Sequence, residues 1–198
     1  MMTGSGEWTL TEAARLLGEP QHRLIYLCEK GVVAPDFQEA EGRGSSRRFS
    51  ARNMLEFAVA LRLRDLELPA VVGGAVVHVL RQFEGRVRRQ IPGFRLPDSL
   101  RPGNAPDLRV IVSDGRRLFF TLGGSKGASE VYGGIELADL MSGHGSQGAL
   151  KQRLGPAKIR AGSAVGAHDG EFGAPEGSRH ARLEVSVTRI AQELRLEG

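Results

Sequence analysis

A chain of 198 residues with 40% hydrophobic and 25% charged residues can build one domain or two small ones around packed cores. Its 27 Lys and Arg against 23 Asp and Glu leave a net charge of +4, which permits a polyanionic partner without requiring one. A single cysteine, Cys28, excludes an internal disulfide and a cysteine-rich metal site. The apolar run AVVGGAVVHVL is far short of the ~20 residues that cross a bilayer, and no charged-then-apolar leader opens the chain; a cytoplasmic protein without a membrane partner is expected.

Thr9 or Thr11 can cap a first helix, and Glu12 near its first turn agrees with the helix dipole. Leu10, Ala13, Ala14, Leu16 and Leu17 then repeat at helical spacing until Gly18 stops them. Pro20 fits the first turn of a second helix. Leu24, Ile25, Leu27 and Cys28 form its apolar stripe, Gln21, His22, Arg23 and Tyr26 fall elsewhere on its surface, and Gly31 ends it. The helical spacing of Cys28 from Leu24 marks it as a small core residue rather than a redox switch. Val32–Val33 is expected to pair with Arg47–Arg48–Phe49 as a two-stranded ribbon with glycines at its tip. Ser50 caps a third helix, buried along Met54, Leu55, Ala58, Leu61 and Leu66, and Pro69 starts a fourth that ends before Pro92. Gly73 and Gly74 each weaken that helix by about 1 kcal/mol relative to alanine and allow close helix packing.

The four prolines of IPGFRLPDSLRPGNAP suggest a linker over residues 91–106. Beyond it the period becomes two. Leu108, Val110 and Val112 alternate with Arg109 and Ile111, SDGR signals a hairpin turn, and Leu118, Phe120 and Leu122 resume the alternation. IELADLM reads as a short helix. Residues 142–181, rich in Gly, Ala and Ser without a sustained period, are expected to be disordered. Leu183, Val185 and Val187 make a last strand that adds to the hairpin, followed by a helical turn or two at Ile190, Ala191 and Leu194. Residues 107–141 with 182–198 are thus expected to form a small α+β domain.

Two short helices joined by a tight glycine-containing turn form a helix-turn-helix unit that presents its second helix outward. Arg43, Arg47 and Arg48 on the ribbon beside it suit phosphate oxygens, because a guanidinium offers a planar fork and keeps its charge. Thr11 is a further candidate phosphate contact, and base reading would fall to Gln21, His22, Arg23 and Tyr26. The exposed side of the third helix carries Arg62 and Arg64, for which solvent and DNA are equally good partners.

WTLTEAARLLG, RLIYLCEKGVV, APDF, SSRRFS and LRLRDLELP follow one another here. Their order over Glu7 to Phe83 resembles the MerR family of winged helix-turn-helix regulators. The resemblance implies an α+β chain with a DNA-binding winged helix-turn-helix over residues 7–90, double-stranded DNA as partner, and a transcription-regulating role. The chain departs from the family pattern at Ile25, Tyr26 and Leu27, where an arginine and two aromatics are usual, so one phosphate contact is missing. Gly85, Pro92 and Pro97 leave no room for the family's long dimerisation helix; a homodimer would use the C-terminal domain or the fourth helix. Those departures keep two other roles open: an architectural, excisionase-type DNA factor, and an adaptor whose helix-turn-helix binds a protein. LGGSKGAS, with Lys126, lacks the order of a phosphate-binding loop. No paired carboxylates, activated nucleophile or metal cluster can be assembled, so neither an enzyme nor a cofactor is expected.

Overall fold

Thr9, not Thr11, starts the first helix. In the computed structural model, which describes residues 6–38, 47–103, 105–113, 117–123, 129–136, 161–163 and 182–194, the Thr9 hydroxyl accepts from the Glu12 amide at the head of α1 (Leu10–Leu17), and the Glu12 carboxylate accepts from the Thr9 amide at 2.8 Å. The reciprocal pair satisfies two donors that a helix start leaves bare. It also holds the Glu12 carboxyl below the ordinary carboxylate value, through the Thr9 amide first and its hydroxyl second. Gly18, at φ 66°, adopts the left-handed conformation that closes α1, and α2 (Gln21–Glu29) begins just after Pro20.

The ribbon is offset from its sequence expectation. β3 (Arg47–Ser50) lies between β1 (Glu7–Trp8) and β2 (Phe37–Gln38), with Phe37 opposite Arg48 and Gln38 opposite Arg47. Val32 and Val33 do not pair with it. Their amides reach back to the Leu27 carbonyl, and both side chains are buried with Ala13, Leu24, Leu27, Phe49 and Phe57. Successive strand residues face opposite ways, so two adjacent valines would leave one exposed on a solvated ribbon; leaving the helix through the core buries both. Arg43 and the glycines expected at the ribbon's tip lie outside the described residues.

α3 (Ala51–Asp65) is capped by Ser50, as its sequence suggests. It is buried on more than one face. Met54, Phe57, Ala60 and Leu61 pack under α1, α2 and the ribbon, whereas Leu55, Val59 and Leu63 pack with α4 (Ala70–Gln90) and the C-terminal elements. Leu66, expected on the buried face, is 44% exposed because the helix ends at Asp65 and the chain turns there.

Residues 91–106 are more than a tether. Phe94, Leu96 and Leu100, the last in a 3-10 turn at Asp98–Leu100, are buried in one cluster with α3, α4 and the sheet. The prolines interrupt regular structure, but three large apolar side chains among them have a core to fill. The segments on either side of it therefore share a continuous hydrophobic core.

Among the described residues, the C-terminal part forms a five-stranded antiparallel sheet of order β7-β6-β5-β4-β8: β4 (Asp107–Ser113), β5 (Arg117–Gly123), β6 (Ser129–Glu136), β7 (Ala161–Ser163) and β8 (Arg182–Ser186). The expected hairpin forms, with Val110 opposite Phe120, and the expected last strand adds to it, with Val110 opposite Val185. Two further strands join. Ile135 and Glu136, assigned above to a short helix, end β6, and residues 161–163, assigned to a disordered stretch, pair with it. Leu108, Val110, Val112, Leu118, Phe120 and Leu122 form the buried face against α4, where Phe83 stacks on Phe120 at 5.5 Å. α5 (Val187–Glu193) closes the sheet's end. The buried Thr188 hydroxyl accepts from the Leu108 amide and donates to the Pro106 carbonyl, both at 2.7 Å. The chain is thus a mixed helix-and-sheet, α+β, protein. No helix among the described residues is long and apolar enough to cross a membrane.

Gly85 sits exposed inside α4, where a Cβ would meet nothing within 4 Å. Gly85→Ala should therefore add about 1 kcal/mol of stability and raise the melting temperature by roughly 2–4 °C. Thermal unfolding followed by circular dichroism checks this; an unchanged or lower midpoint would contradict it.

Candidate functional site

Burial of Leu24 and Leu27 fixes which side of α2 faces out. Gln21, Ile25 and Glu29 form one i, i+4 row, with His22 and Tyr26 in the adjoining row. Gln21 and His22 are exposed, and among the described residues neither side chain has a hydrogen-bond partner. Ile25 is 38% exposed.

The other two residues picked for base reading are engaged within the protein. Arg23 donates to Glu19 at 2.7 Å and to Asp65, at the end of α3, at 2.6 Å. Hydrogen bonding to Asp65 raises its pKa most; burial opposes the rise, and the hydrogen bond to Glu19 adds to it. Arg23 thereby ties α2 to α3 and fixes the angle at which α2 leaves the core. Tyr26 is half-buried, with the Arg64 guanidinium 4.3 Å and the Lys30 ammonium 5.6 Å from its ring centroid. Those cation–π contacts hold two positive charges beside the outward face of α2. Lys30 and Arg64 were not legible as a pair in the sequence, because their common support is a ring on a different turn or helix.

Arg48 and Arg47 flank the same helices from the ribbon. Arg47 is exposed and Arg48 half-buried; among the described residues neither forms an ion pair. The charge of Arg47 is felt at Cys28 on α2, and that of Arg48 at Glu12 on α1, together with that of the exposed Arg15. Thr11 is exposed on the first turn of α1, freed from capping by Thr9. The resulting surface has an exposed polar and apolar row, bordered by Lys30, Arg64, Arg47, Arg48 and Arg15. Glu29 is an acidic group within it, and would repel a phosphate while accepting a hydrogen bond from a base amino group.

Behind this surface lies a polar cluster that sequence reasoning missed. Asn53, fully buried, uses its whole amide. Its Oδ1 accepts from the Asp36 amide at 2.9 Å and the Ser50 amide at 3.1 Å; its Nδ2 donates to the Ala34 carbonyl at 3.0 Å and to Glu56 at 2.9 Å. Glu56, 1% exposed, also receives both Nε and Nη2 of Arg81 from α4, the latter at 2.6 Å. Arg81 lies 3.5 Å from Asp36. The cluster fastens residues 34–36, the lead-in to β2, to both long helices, and so sets the position of the ribbon. Ser50 and Asn53, three apart at a helix start, were the one local sign of it.

Cys28 is half-buried, and burial pushes its thiol up to about 11, outweighing the lowering effect of Arg47. A thiol displaced that far from its ordinary value of 9.0 carries about 100-fold less thiolate at neutral pH. Iodoacetamide at pH 7.5, followed by timed mass spectrometry, should label it about 100-fold more slowly than a free cysteine; labelling at the free rate would contradict this.

No protein-family model matches the chain, and no curated protein matches it.

Proposed function

We propose that this chain is a sequence-preferring, double-stranded-DNA-binding protein that regulates transcription. α1 and α2 act as a helix-turn-helix and the β2–β3 ribbon as its wing, in a MerR-like arrangement of residues 7–90. The observation that carries this reading is the pairing of free reading groups with uncompensated cations. Gln21, His22 and Ile25 stand out from α2, and Arg47 and Arg48 flank them without ion-pair partners among the described residues. A B-DNA major groove is wide enough to admit one helix, and its base edges accept amide and imidazole hydrogen bonds. Phosphates on either side would meet the wing and the Tyr26-supported pair of Lys30 and Arg64. Arg23, held by Glu19 and Asp65, serves in this reading to aim the helix rather than to read a base.

Glu19, Glu29 and Asp65 around α2 and the exposed Leu16 on α1 favour one other reading, an adaptor that binds a protein through the same face. Selection of bound duplexes from a random pool, with sizing of the complex, separates the two. An enriched sequence is expected; absence of any duplex affinity at low salt would leave the adaptor.

A further inference from the structure

Ile25 occupies the middle of the outward row of α2, between Gln21 and Glu29, and joins neither buried cluster. A branched aliphatic side chain left 38% exposed there forgoes part of the roughly 1.5–3 kcal/mol that full burial would contribute. The neighbouring side chains Arg23 and Tyr26 have partners within the protein; Ile25 joins no core cluster and, at 38%, is one of five exposed large apolar residues among the described ones, and the one that lies on the outward row of α2. The cations bordering this face select a polyanion as what covers it. In the major groove of that polyanion the distinct apolar feature is the C5-methyl group of thymine.

We infer that Ile25 is a specificity-determining residue that packs against a thymine methyl, so that the bound site contains an A·T pair at that position. The inference rests on the DNA-binding reading above. Gln21, four residues earlier, supplies the complementary chemistry, since a side-chain amide matches the N6 and N7 edge of adenine. Four helical residues rise about 6 Å and successive bases on a strand about 3.4 Å, so the two contacts fall about two base steps apart.

The test uses the full chain and the duplex enriched from a random pool. Each thymine is replaced singly by deoxyuridine, which deletes the methyl group and keeps every hydrogen-bonding atom. One replacement is expected to weaken wild-type binding about three- to ten-fold, the loss of one buried methyl contact. In Ile25→Ala, its folding checked by circular dichroism, the same replacement should cost less than about two-fold. If every replacement is neutral, or if the penalty survives undiminished in Ile25→Ala, the inference fails while DNA binding stands. If no duplex is enriched, the DNA-binding reading and this inference fall together.

Discussion

Arg81→Met should lower the urea midpoint of unfolding and cost about 2–4 kcal/mol, with the slope of the transition unchanged. Removing one partner of a buried ion pair leaves the other charge without compensation. Here that charge is Glu56, 1% exposed, which would keep only the Asn53 amide as a donor among the contacts described. The expected loss sits toward the low end for buried pairs because the Arg81 side chain is itself 35% exposed, and water screens its side of the contact. The loss should also depend on pH, with a definite sign. Burial pushes the Glu56 carboxyl above its ordinary value, and Arg81, with help from Asn53, opposes that rise. Without Arg81 the folded-state value rises further above the unfolded one. Stability from such a group is fully present below the ordinary carboxylate value and is lost as pH rises through the folded value. The deficit of Arg81→Met should therefore be smallest near pH 4 and grow toward neutrality. A deficit that is constant across this range, or that grows as pH falls, would contradict the assignment of Glu56 as the buried partner. The consequence extends to function: the same cluster holds residues 34–36, so a loosened ribbon should weaken duplex binding under conditions where the chain remains folded.

Replacing Arg47 and Arg48 together by alanine should weaken duplex binding about 10- to 100-fold at low salt. It should also reduce the slope of log affinity against log salt by about 2, since each neutralised phosphate contributes about 0.9. Both are accessible and unpaired among the described residues, so their removal breaks no ion pair there. Fluorescence anisotropy over a salt series measures both quantities. The double lysine variant, which keeps the charge but loses the guanidinium fork, should retain the slope and lose less affinity. An alanine variant with an unchanged slope would remove the ribbon from the proposed interface.

What was legible in the sequence was local. Ser50, and Thr9 as one of two candidates with Thr11, announced helix starts because capping involves a hydroxyl and an amide only three residues away. The alternation through Leu108–Val112 and Leu118–Leu122 announced a hairpin, because a period of two is visible in one strand at a time. What escaped depended on distant parts of the chain. The Asn53–Glu56–Arg81 cluster joins a loop and two helices, and none of its members is unusual within its own element. Phe94, Leu96 and Leu100 were masked by the prolines around them, although their number argued for a core contact. β6, with two glycines in SEVYGGIE, shows no alternation to find. The candidate surface divides the same way. The exposure of Gln21 and His22 could be read from their place on α2, whereas the engagement of Arg23 required Asp65, which is 42 residues away.

The most direct measurement is a two-dimensional amide NMR spectrum of the full chain titrated with its selected duplex. Shifts should concentrate in residues 21–30 and at Arg47 and Arg48, with α5 and the β4–β5 hairpin unmoved. Perturbations centred on the sheet, or none at saturating duplex, would show that the outward face of α2 does not hold DNA.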